Sequence, residues 1–239
     1  MKLSPGITIK AMAVCALASF LTISAHAQTQ SREATVTGLA GDARYSAGGS
    51  GEFTPVAIGT KLHEGDVIKT AAGSHADIEL GDNVGFLQLA PQSTLALHTM
   101  KITYTQADTV TETDLDLKEG AIFFKANKLA KASRYEITTP KGVAGIRGTT
   151  GYINADGTLA IGDGIGGISY PNGGSVETFV LKDGEMVGPN DKPPHPAPGQ
   201  LLRQIVEALR DGATHGIGRD LQPFVPPVDF FISPALPGR

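Results

Sequence analysis

Five histidines follow residue 27: His63, His75, His98, His195 and His215. No two stand two or four positions apart, the spacings at which one strand or helix turn offers paired imidazoles to a metal, so they read as surface, strand or linker residues. No Gly-x-Ser-x-Gly elbow presents a serine nucleophile. Glu112, Asp114, Asp116 and Glu119 alternate with apolar neighbours. That is the pattern of a strand's solvated face, and its sharper reading, a surface for a metal or a cationic ligand, has no converging partner. Gly162-Asp163-Gly164-Ile165-Gly166-Gly167 resembles a calcium-binding glycine-aspartate repeat, but such repeats share ligands by stacking and this one stands alone. No catalytic, cofactor or metal residue is assigned, and the expectation is a protein that is not an enzyme.

One cation is placed conspicuously. Arg147 lies in the uncharged run Val143-Ala144-Gly145-Ile146-Arg147-Gly148-Thr149, after Thr139-Pro140 and Lys141-Gly142. Pro140 biases Thr139 toward extended backbone, and three glycines argue against helix, so the run is read as a strand with Val143, Gly145 and Arg147 on one face. The simpler reading gives Arg147 a structural ion pair with an acid on a neighbouring strand, because buried charges are normally paired. The sharper one uses its planar fork to recognise a carboxylate or phosphate. The glycines themselves lack the strand-loop-helix setting of a phosphate cradle.

The elements that must position these residues are strands. The chain contains 30 glycines and no tryptophan, and from about residue 34 to 187 it runs in short alternating stretches cut by Gly, Asp, Asn and Pro. Ala76 to Leu80, Val84 to Ala90, Thr94 to His98, Lys101 to Tyr104, Thr109 to Leu117 and Ala121 to Ala126 each carry the two-residue period. Asp156-Gly157 and Asp183-Gly184 are hairpin signals between flanking strands. Many strands without intervening helices predict an all-β fold, a sandwich or a rolled double-layer sheet over residues 28–187.

Residues 188–199, centred on Pro193-Pro194-His195-Pro196-Ala197-Pro198, read as an extended proline-rich linker. Residues 200–212 then form one amphipathic helix, with Leu201, Leu202, Ile205, Val206 and Leu209 on a stripe and Gly212 as its cap. That stripe either packs on the sheet or docks a partner through Leu202, Ile205 and Leu209. Residues 213–239, with Phe224, Phe230 and Phe231 among prolines, read as an irregular tail and a second candidate contact surface.

Residues 1–27 are expected to be a signal peptide: Lys2 and Lys10, an apolar run from Ala11 to Ile23, then Ala25-His26-Ala27 before Gln28. Cys15, the only cysteine, lies within it. The chain after Ala27 keeps 18 basic against 24 acidic residues, net −6, which argues against nucleic acid as a partner. It contains no run of the ~20 apolar residues that a membrane helix requires. A periplasmic or extracellular location is expected, with the core supplying stability because no disulfide is available.

Five pieces of sequence resemble the FecR domain family in order and spacing. They are Gly59 to Thr70 with Gly65, Asp66 and Thr70; Ser74-His75-Ala76; Leu89-Ala90-Pro91-Gln92-Ser93; Leu117-Lys118-Glu119-Gly120; and Thr139-Pro140 through Arg147-Gly148-Thr149. The resemblance covers about residues 55 to 187 and implies the periplasmic β domain of sensors that connect an outer-membrane transporter to a cytoplasmic sigma factor. It does not extend to the sigma-binding helices, internal membrane span or signalling module of those relatives. It therefore implies a stand-alone exported version, without a cofactor, that serves as a protein-binding or structural module of the cell envelope with envelope proteins as partners. An accessory to a separate membrane-spanning regulator is the alternative. A glycan or peptidoglycan module using the five tyrosines is a third.

Overall fold

The computed structural model describes residues 28–210, so the expected signal peptide, Gly212 and the tail with Phe224, Phe230 and Phe231 lie outside the described residues. The strands are β1 (Gln28–Ser31), β2 (Ala34–Ala40), β3 (Ala43–Ser46), β4 (Thr54–Pro55), β5 (Lys61–Leu62), β6 (Val67–Thr70), β7 (His75–Glu79), β8 (Gly85–Leu89) and β9 (Thr94–Tyr104). They continue as β10 (Thr109–Glu119), β11 (Ala121–Ala126), β12 (Arg134–Thr139), β13 (Gly142–Asn154), β14 (Leu159–Asn172), β15 (Ser175–Leu181), β16 (Glu185–Gly188) and β17 (Asp191–Pro196). One helix, α1 (Gly199–Arg210), follows.

The ladders form two runs that meet in one hairpin. In the first run the neighbours are β4, β3, β6, β9, β10, β12, the first half of β13, the second half of β14, and β15. In the second they are β5, β2, β7, β8, β11, the second half of β13, the first half of β14, β16 and β17. Every pairing is antiparallel except β10 with β12. The long strands β13 and β14 pass from one layer into the other where their register slips between Arg147 and Gly151. Gly148, at φ +60°, takes a conformation that side-chain-bearing residues rarely adopt, and it stands at that corner. At the other end the chain itself changes layer, from β2 to β3.

A rolled double layer of this kind has an inside and an outside for each strand. Val36, Leu62, Ile78, Leu87, Leu89, Ile122 and Phe124 of one layer meet Ile68, Leu95, Leu97, Leu115, Leu117 and Ile137 of the other in a single buried core. The period-two runs of the sequence are the reason, since a strand places alternate side chains on opposite faces.

Four details differ from the sequence reading. Thr94 to His98 and Lys101 to Tyr104 are one strand, β9, because a bulge near His98 restores the register that the pattern loses there. Asp183-Gly184 makes a turn but no hairpin. The strands either side of it both pair with β14, on opposite sides of its bend, at residues 166–172 and 159–160. The proline-rich stretch is no free linker, for residues 191–196 form β17 on the edge next to β16, the one place in a sheet where missing N–H groups are tolerated. The helix begins at Gly199, one residue earlier than expected.

Candidate functional site

The signature residues join successive turns. Asp66 is 4% exposed, and its two carboxylate oxygens accept backbone N–H groups from Gly48 and His63, each at 2.8 Å. Gly65, beside it, has φ +93° and donates its N–H to the Leu97 carbonyl at 2.7 Å. Thr70 Oγ1 donates to the Ala90 carbonyl at 2.6 Å and accepts the Ser93 N–H at 3.0 Å, which fixes the turn through Pro91. Ser93 Oγ in turn accepts the Ala121 N–H at 2.9 Å, next to Gly120. The Gly120 carbonyl accepts the Ala155 N–H at 2.8 Å, so the chain of contacts runs on into the β13–β14 hairpin. Asp66→Asn offers one oxygen and one NH2 where two oxygens are needed. It will cost about 2 kcal/mol of stability, read from the urea midpoint.

The second half of the signature works the same way. Thr139 Oγ1 accepts the Gly142 N–H at 3.0 Å and closes the turn after Pro140. Thr149 is 1% exposed, and its Oγ1 donates to the Ile165 carbonyl at 2.7 Å across the corner of β13 and β14. Arg147 is half-buried, and its guanidinium donates to the carbonyls of Leu129 at 3.2 Å and Lys131 at 3.3 Å. The acidic partner expected for it on a neighbouring strand is not there: among the described residues no carboxylate makes an ion pair with Arg147. Two carbonyls of the loop between β11 and β12 take its place, and these satisfy the guanidinium without a stranded acid on the other side. Arg147→Ala will therefore lower stability by about 1–2 kcal/mol, below the ~3–5 kcal/mol of a broken buried pair.

The carboxylates of β10 are not merely solvated. Glu112 pairs with Arg134, which also binds Glu136 at 2.9 Å; Asp114 meets His98 at 3.0 Å; Asp116 meets Lys118 at 3.5 Å. Glu119 accepts the Thr94 hydroxyl at 3.2 Å. These contacts use the acids one by one, with partners on β9 and β12 and, for Asp116, on β10 itself, and no cluster of metal-ligating side chains occurs among the described residues. Asp163 lies opposite Thr150 on β14, while the nearby Asp183 accepts the Gly164 N–H at 2.6 Å, which is a turn contact. His63 faces Glu33 at 3.2 Å, and His195 faces Asp191 at 2.7 Å. The Asp191 hydrogen bond raises the His195 pKa above its ordinary value. The contact therefore stabilises fully below the ordinary histidine range and is lost as pH rises through the raised value. A proton NMR titration will show His195 titrating late, and Asp191→Asn will lower its pKa while the Pro196 carbonyl contact remains.

The helix face proposed for a partner is already occupied. Ile205 and Leu209 are 1% and 6% exposed and pack with Leu201 and Leu202 on Phe86, Phe123, Tyr152, Ala160 and Met186. These are the outward residues of β8, β11, β13, β14 and β16, whose alternate neighbours fill the main core. Cross-strand register sets Phe123, Tyr152, Ala160 and Met186 in one row, with the Phe123 and Tyr152 rings 5.2 Å apart. Gly162 leaves room for this, since a Cβ there would stand 3.1 Å from Ile205 Cγ2. Ile205 and Leu209 thus belong to the protein's own interior, Leu202 packs half-buried at its edge, and Val206, 66% exposed, is the member of the stripe left in solvent.

A buried arginine escaped the sequence reading. Arg32, between β1 and β2, is 2% exposed, and nothing in its sequence neighbourhood marks it as interior. Among the described residues no helix is long and apolar enough to cross a membrane.

Residues 66–161 match the family model described as FecR protein. Two crystal structures from Parabacteroides distasonis ATCC 8503, each described as a "putative anti-sigma factor", are similar at 15% identity with TM-scores of 0.41 and 0.42. The alignments span 56% of this chain and 61% of each of theirs. No curated protein matches. The matched stretch opens at the buried Asp66 and closes at Ile161, just past the corner that Arg147, Gly148 and Thr149 build, and over those residues the chain matches the FecR family.

Proposed function

We propose that the protein is an exported, non-enzymatic FecR-type module of the cell envelope that works by binding another protein. The carrying observation is that the signature residues are spent on backbone contacts, so none is left over for chemistry, and a fold maintained this way offers surfaces. The FecR match favours one kind of contact, that of a signalling accessory to a separate membrane-spanning regulator. The glycan reading loses support. Of five tyrosines, Tyr135 and Tyr170 are buried, Tyr152 lies under the helix and Tyr45 packs on the core, leaving Tyr104, 47% exposed, as the lone stacking platform. Crosslinking the full-length protein in its own cells tests the proposal. Recovery of a membrane-spanning regulator supports it, and retention on insoluble cell-wall polymer with no protein crosslinked contradicts it.

A further inference from the structure

Arg32 is a buried cation that no carboxylate contacts directly among the described residues. Its guanidinium donates to the carbonyls of Leu80 at 2.6 Å, Lys101 at 3.1 Å and Glu112 at 3.4 Å, and to Thr113 Oγ1. All four acceptors are neutral. Among the described residues no carboxylate forms an ion pair with it, and burial lowers its pKa against the attraction of Asp82. Directly across the ladder from Thr113 stands Tyr135, and two residues before Thr113 on the same inward face stands Thr111. Each is 3% exposed, and Tyr135 Oη and Thr111 Oγ1 are buried polar atoms with no hydrogen-bond partner. Burial raises the Tyr135 pKa, so its hydroxyl keeps its proton and remains a donor.

Two unpartnered hydroxyls near a guanidinium that no carboxylate contacts can turn their protons toward one shared acceptor. We propose that this end of the core binds a small monovalent anion of halide size, with the Tyr135 and Thr111 hydroxyls as its hydrogen-bond donors and Arg32 as its counter-charge. Burial of all three side chains favours a small anion over a bulky one. A neutral water would satisfy the hydroxyls but bring no charge into direct contact with Arg32.

The test exchanges gluconate for chloride at constant ionic strength and reads the thermal midpoint of the whole exported chain. A ligand that binds only the folded state stabilises by mass action, so the wild-type midpoint is expected to climb by a few degrees as chloride passes through its dissociation constant. Tyr135→Phe removes a hydroxyl without removing volume. It should leave the midpoint in gluconate unchanged or raised, since an unsatisfied group is gone, while the chloride response falls at least several-fold. Crystals grown in bromide should show an anomalous peak within hydrogen-bond distance of Tyr135 Oη. A wild-type midpoint indifferent to chloride, a Tyr135→Phe variant that responds like wild type, or an ordered water in place of the bromide peak would each overturn the proposal.

Discussion

Gly120→Ala will destabilise the protein by about 3–5 kcal/mol, a large share of the stability of a typical domain. Two costs combine. Gly120 has φ +77°, which a residue with a Cβ adopts at a penalty of about 1–2 kcal/mol. The added Cβ would also lie 2.0 Å from Ser93 Oγ and 2.6 Å from Ser93 Cα. Ser93 cannot retreat, because its own N–H is held by Thr70 at 3.0 Å and its Oγ by the Ala121 N–H at 2.9 Å. The check is a urea midpoint with the slope unchanged. A double variant adds the control: Ser93→Ala removes the hydroxyl clash but not the backbone one, so the two substitutions together will cost less than the sum of each alone.

Ile205→Asp will cost a similar amount, about 3–5 kcal/mol, by placing a carboxylate among apolar side chains with nothing to pair it. Its direct consequence is an undocked helix, because Ile205 and Leu209 are the buried residues of α1. Phe86, Phe123 and Tyr152 would then face water, detected as dye binding and as cleavage near residue 199. Val206→Asp, one residue along and 66% exposed, will stay within about 0.5 kcal/mol of wild type. Removing residues 200–210 would do the same as undocking the helix. It strips a wall from the second layer.

Much of the fold was legible in the sequence because a strand with one wet and one dry face writes its own alternation. The core residues of β7, β8, β10 and β11 follow that pattern residue by residue. What the pattern could not show was pairing. Asp183-Gly184 carries hairpin chemistry, yet β15 and β16 both add to β14, because a turn specifies local direction and the bend of a distant strand decides the neighbour. Proline argued for a linker at residues 191–196, and an edge accommodates it as a strand. The helix stripe was visible, but whether it met the sheet or a partner depended on Phe86, Phe123 and Tyr152 facing outward under it, residues far away in the chain. Arg147 was legible as a cation needing partners; that the partners are carbonyls of a loop 16 and 18 residues earlier was not. Arg32 gave no signal, since its burial depends on acceptors 48 to 81 residues away in the chain.

The FecR-like signature residues build the fold and, on the proposed function, do not themselves bind. The most direct measurement takes Arg147→Ala, reads its ligand-free urea midpoint, and compares its crosslinked partner with that of wild type at a temperature where both are folded. The account predicts a stability loss of about 1–2 kcal/mol and an unchanged partner. Unchanged stability together with loss of the partner would make Arg147 a recognition residue and contradict it.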